Sequence, residues 1–177
     1  MFQLTAILIT ALVPAQGGSE SRGLDELLSV CDVLAVPMKY DGKLIRVRGV
    51  WEGAGEGSWI ESGVKCGNPV TTYGYTWPSI IWIETADSSQ RIHKVEFHTD
   101  LRALRAVNDE VQRRQIDPKN NRTWVTFIGV FETRDYRASD IGSDGRGGYR
   151  VNGFGHLNGA PGQLLVKTVK DLKIEPK

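Results

Sequence analysis

The chain is poor in the residues that most often carry chemistry. Among 177 residues there are two cysteines, two methionines and three histidines. The cysteines form no Cys-x-x-Cys pair, which excludes a zinc ribbon or a thioredoxin-type redox centre. No Gly-x-Ser-x-Gly elbow and no Gly-rich phosphate loop ending in Lys-Ser/Thr is present, so neither a hydrolase triad nor nucleotide binding is signalled, and no cofactor is implied. Charge of one sign is also missing. Lys plus Arg is 22 against 21 for Asp plus Glu, a net +1, so no long-range field marks nucleic acid or an anionic membrane as partner. Such binding would need a local patch, and the near-neutral balance speaks against nucleic acid.

What remains is an ordinary globular composition, 40% apolar and 24% charged, enough for one core. Residues 1–15 stand apart. Leu4 to Val13 is an uncharged apolar run ending in Pro14-Ala15, shorter than the roughly 20 residues of a membrane span and of the length of a signal-peptide core. It reads as a secretory signal, although Met1-Phe2-Gln3 lacks the usual Lys or Arg; a buried N-terminal helix is the alternative. Residues 16–23 then form a Gly, Ser and Glu linker, and residues 24–177 a single domain with no further transmembrane segment. The expected address is periplasmic or extracellular, and the expected state a monomer.

An oxidising compartment makes a Cys31–Cys66 disulfide the natural reading of two cysteines, with two buried thiols as the alternative. Leu28-Ser29-Val30-Cys31 is not a lipoprotein acylation box, because a bulky residue precedes the cysteine. Leu24, Leu27, Leu28, Cys31, Leu34 and Ala35 fall at helical spacing, which predicts one helix with its thiol turned inward until Pro37 ends it.

The organising stretch is Tyr40 to Glu52. After Asp41-Gly42, residues Ile45, Val47, Gly49 and Trp51 alternate with Arg46 and Arg48, the pattern of a half-buried strand, and the central glycine marks a bend. A second strand is predicted at Ser58–Glu61 and a third at Ser79–Glu84, separated by an irregular loop from Gly63 to Pro78 held by Cys66. Thr99-Asp100 caps a helix from Leu101 to about Gln115, which Asp117-Pro118 stops. A fourth strand, Arg122–Thr133, is apolar on both faces and hence central. A fifth runs from Gln163 to about Ile174.

Gly49-Val50-Trp51-Glu52 and Gly129-Val130-Phe131-Glu132 echo each other, which places a bend at the same point of two strands. Strand, strand, strand, helix, strand, strand resembles the OB-fold, a five-stranded Greek-key barrel with a helix between strands three and four. The segments Tyr40–Gly49 and Gly155–Pro161 further resemble small exported bacterial proteins of unassigned function. The fold class implied is mostly β, an OB-fold-like barrel carrying an extra N-terminal helix.

That resemblance implies ligand binding on the face of strands two and three and on the loops joining strands one to two and four to five. The candidates there are Trp59, Tyr73, Tyr75, Trp77 and Trp82, with Arg137, Arg150 and His156 from the connection between residues 134 and 162. Aromatics beside arginines suit stacking on rings or gripping phosphate. Packing and solvation explain the same residues more blandly. The reading is a non-enzymatic binding module for a small molecule, an oligosaccharide or a protein partner of the envelope. Two alternatives stand beside it: a metal-dependent or hydrolytic enzyme using His156 or the His93, Glu96 and His98 group, and a structural part of an envelope assembly. His93-Lys94-Val95-Glu96-Phe97-His98 is not the helical His-Glu-x-x-His pattern, so no metal site is assigned. Asn121-Arg122-Thr123 is a glycosylation sequon, which matters only in a eukaryotic secretory pathway.

Overall fold

The structure is a computed structural model that describes residues 22–54, 57–85, 91–92, 95–96, 98–114, 116–143 and 148–177. The expected signal segment, most of the expected linker and His93 lie outside the described residues.

The described N-terminal segment is not one helix. It comprises α1 (Arg22–Asp25), a short strand β1 (Leu27–Ser29), α2 (Val30–Ala35) and α3 (Pro37–Tyr40). Helical spacing of the leucines is real, but Leu27–Ser29 gains more by pairing in parallel with Arg46–Arg48. Ser29 then caps α2: its hydroxyl accepts from the Asp32 N–H at 3.1 Å, and its own N–H donates to Asp32 Oδ2 at 2.8 Å. The Ser29 hydroxyl also donates to Asp32 Oδ2 at 2.6 Å, and this bond, followed by that from the Ser29 N–H, holds the Asp32 carboxyl below its ordinary pKa.

The long strand β2 (Leu44–Ala54) is followed by β3 (Gly57–Glu61), the minimal strands β4 (Thr71–Thr72) and β5 (Tyr75–Thr76), and then β6 (Ile80–Thr85). Next come β7 (Arg91–Ile92), β8 (Val95–Glu96), the helix α4 (Leu101–Arg113) and β9 (Asn121–Glu132). A hairpin of β10 (Ile141–Ser143) and β11 (Tyr149–Val151) precedes the last strand, β12 (Gln163–Pro176).

Five of these strands close on themselves in the order β2-β3-β6-β12-β9, with β9 pairing back to β2. All neighbours are antiparallel except β6 and β12, which run parallel. Closure depends on β2 serving two partners. Leu44 to Val50 pairs with β9, and Val50 to Ala54 pairs with β3, so the change of partner falls at Gly49-Val50. A Cβ at Gly49 would lie 2.7 Å from the Glu61 carbonyl oxygen, which is why no side chain is present at the crossing. Gly129 plays the same part in β9: a Cβ there would fall 2.3 Å from the Leu165 carbonyl oxygen, beside the register shift of β12 between Val166 and Thr168.

The buried residues are mostly apolar, with Thr126 the one wholly buried polar side chain among the described residues. Ile45, Val47, Ile60, Ile81, Val125, Phe127 and Leu164 are almost wholly buried, and α2 adds Val30, Val33 and Leu34 from outside the barrel. The disulfide expected from the sequence is present, Cys31 to Cys66 with Cα atoms 5.4 Å apart. It ties α2 to the segment after β3. Cys66 is buried, while Cys31 is only partly so, a smaller burial than an inward-turned thiol would have.

Candidate functional site

The outer face of β3 and β6 is built by strand alternation. Ile60 and Ile81 pair and point into the core; their neighbours Trp59 and Trp82 pair and must point out. The two indoles stack with centroids 6.2 Å apart and an interplanar angle of 21°. An outward tryptophan would ordinarily be exposed, yet Trp82 is buried. Backbone from two directions covers it. A Cβ on Gly57 would sit 2.2 Å from its ring and one on Gly155 2.1 Å, so both positions must be glycine, and both have positive φ. Gly155 belongs to the connection between β9 and β12, which folds over the sheet at that point.

What remains open beside the pair is a cleft of 220 Å³ floored by Trp59, Trp82 and Ile80 and walled by His156, Gly159 and Ala160. His156 is exposed and opens a 3₁₀ turn, His156–Asn158, whose reversal is fixed by N–H to carbonyl bonds from Gly153 to Asn158 and between Phe154 and Ala160. His156 is the one titratable side chain among the described lining.

The remaining aromatics form a second row. Tyr136 lies 4.5 Å from Trp77, Trp77 lies 5.1 Å from Tyr75, and Tyr75 lies 5.3 Å from Tyr149, centroid to centroid. Trp77 is buried at the centre, its indole N–H donating to Thr72 Oγ1 at 3.1 Å, so it holds the row together rather than offering a surface. Two of its partners, Thr72 and Tyr75, come from a tight hairpin the sequence did not reveal: Thr71–Thr72 pairs with Tyr75–Thr76 across Tyr73-Gly74, both at positive φ. The stretch from Gly63 to Pro78 is thus less irregular than expected. Tyr73 projects from the turn and is 65% exposed.

The connection after β9 is anchored at both ends. Thr133 Oγ1 and Tyr136 Oη each donate to the Pro161 carbonyl at 2.8 Å, and the Thr133 N–H donates to Asp41 Oδ1 at 2.9 Å. Burial pushes the Tyr136 phenol well above its ordinary pKa, a shift that nearby Arg134 partly opposes and Asp140 reinforces. Arg134 lies over the Phe154 ring at 4.5 Å. Thr133, Arg134, Tyr136 and Pro161 line a 340 Å³ cleft with Tyr73 and Pro37.

The expected site residues therefore separate. Trp59, Trp82 and His156 share one cleft, Tyr75 and Trp77 belong to the second row, and Tyr73 lines the 340 Å³ cleft. Arg137 and Arg150 join neither lining. Arg137 sits exposed before a 3₁₀ turn, with its N–H donating to Asp140 Oδ2, and Arg150 is exposed on β11 opposite Gly142. Gly57, Gly155 and Ala160 shape the first cleft and were not singled out as site residues. Their signal was glycine at both turns that face an outward tryptophan. Of the expected histidine group, His98 is exposed just before α4. Among the described residues no three His, Cys, Asp or Glu side chains converge as metal ligands, and no helix is long and apolar enough to cross a membrane. A comparison of the chain with protein-family models, with curated proteins and with solved structures finds no match.

Proposed function

We propose that the chain is an exported OB-fold-like binding module whose ligand is a neutral ring-bearing small molecule or oligosaccharide, held on the Trp59–Trp82 shelf. The barrel order, with its third and fifth strands parallel and a helix between the third and fourth, supports the OB-fold reading. The disulfide and the apolar N-terminal run support export.

One observation carries the ligand reading: two stacked indoles point away from the core and are held by backbone at Gly57 and Gly155 around a 220 Å³ cleft. A fixed aromatic floor favours a ring laid flat upon it, and a lining with a single titratable side chain favours a neutral one.

Intrinsic tryptophan fluorescence during titration with neutral oligosaccharides tests this. Saturable quenching that disappears in Trp59→Ala is the expected result. Quenching that is unchanged in Trp59→Ala would remove the shelf as the site. Export is tested separately, by N-terminal sequencing of secreted material, which should begin near Gln16.

A further inference from the structure

The barrel and α4 do not close completely. The helix buries no residue fully: Leu104, Ala103 and Val107 are half-buried against the core, and Leu101 is 50% exposed. Beneath it runs a cleft of 700 Å³ between the helix and the ends of β2, β3 and β6, within the roughly 300–1,000 Å³ typical of small-molecule sites. Trp51, Gly53 and Asn108 also line an adjoining hollow of 460 Å³, so the two spaces meet at these residues.

One buried polar group lines this apolar space without a partner, and two exposed ones, Arg105 and Asn108, stand at its edge. The Trp51 indole N–H is buried without a hydrogen-bond partner among the described residues, although such a donor is almost always satisfied. Its ring is fixed edge-on to Phe127 at 6.2 Å, so it cannot turn away at no cost. The exposed side chains of Arg105 and Asn108, three residues apart and hence on one helix face, line the same cleft and make no ion pair or hydrogen bond among the described residues. The acidic lining residue, Glu84, belongs to β6 and not to the helix. An unpaired donor and a free guanidinium above an apolar floor ask for an acceptor that is negatively charged and attached to hydrocarbon.

We propose that the cleft under α4 binds a fatty acid, with its carboxylate between the Trp51 N–H and the Asn108 amide, Arg105 supplying the positive charge. The acyl chain then lies along Leu101, Leu104 and Ile83. Trp59 is not part of this lining, although Gly57 and Trp82 line both this cleft and the Trp59 shelf.

The test is calorimetric titration of the purified full chain with dodecanoate below its micellar concentration, paired with the indole N–H region of the proton–nitrogen spectrum. Saturable binding with a shift of the Trp51 N–H resonance is expected. Trp51→Phe and Arg105→Gln should each weaken binding about tenfold, as loss of a charge-assisted hydrogen bond does, and Leu104→Trp, which fills the cleft, should abolish it. Trp59→Ala should leave it unchanged, which keeps this outcome independent of the shelf reading. Dodecanol should bind more weakly than the acid. Absence of saturable binding, or equal affinity in Trp51→Phe and Arg105→Gln, overturns the proposal; so does loss of binding in Trp59→Ala. Trp51→Phe and Arg105→Gln decide the matter should Leu104→Trp not fold.

Discussion

Gly155 lies so close to Trp82 that a Cβ at residue 155 would fall 2.1 Å from the indole Cδ2. Its backbone, at φ 74 and ψ −169, is a conformation open almost only to glycine. Gly155→Ala therefore combines backbone strain with overpacking and should cost about 3 kcal/mol, read as a lower urea midpoint with unchanged slope. A midpoint equal to that of the parent chain would mean that the connection does not rest on Trp82.

The bends of the barrel predict a contrast between two glycines. Gly129→Val would drive side-chain atoms into the Leu165 backbone and should cost 3 kcal/mol or more, on the order of a severe core overpacking. Gly67→Ala meets nothing within 4 Å and should stay within about 0.5 kcal/mol of the parent. Equal effects of the two in chemical denaturation would contradict the closed barrel.

Much of this barrel is legible in the sequence because each strand carries its own signal. Ile45, Val47 and Trp51 alternate, and the run from Trp124 to Phe131 is apolar on both faces because β9 is flanked by β2 and β12 and covered on both sides. The cysteine pair is legible from its even count. Other features depend on partners far away in the chain. Leu27–Ser29 reads as helix until the free edge of β2 is beside it, and a hairpin with two-residue strands is too short for any period to show. The aromatics could be found but not sorted: whether Trp77 is a surface or a buried prop is settled by Tyr75 and Tyr136 packing on it from separate segments. The cleft under α4 had the least signal, since an amphipathic helix pattern states which face turns inward and not how closely it seats.

Reduction tests the staple. Cys31 and Cys66 are 35 positions apart, and closing a loop of that length is worth about 3 to 4 kcal/mol in the chain-entropy model. Unfolded, unreduced protein should show no titratable thiol, and reduced protein should melt several degrees lower. Two thiols in the unreduced protein, or equal melting before and after reduction, would contradict this assignment.

Tyr136 predicts an alkaline limit. Because burial raises its folded pKa above the ordinary phenol value near 10, its contribution to stability is complete below about pH 10 and is lost as pH rises beyond that, when the unfolded chain releases the proton first. Tyr136→Phe removes the 2.8 Å bond to Pro161 and should cost about 1 kcal/mol at pH 7. The difference between variant and parent should shrink above pH 10. A difference constant from pH 7 to pH 11 would show that the phenol is not protected by the fold.

The most direct test of the Trp59–Trp82 shelf is a proton–nitrogen spectrum of the five tryptophan indoles, recorded with neutral oligosaccharides, nucleosides and aromatic fragments in turn. The account predicts that bound probes shift the Trp59 resonance in a saturable way, and that Trp59→Ala abolishes their binding while the protein stays folded. A set of probes that bind yet leave Trp59 unmoved, or that bind Trp59→Ala as well as the parent, would contradict it.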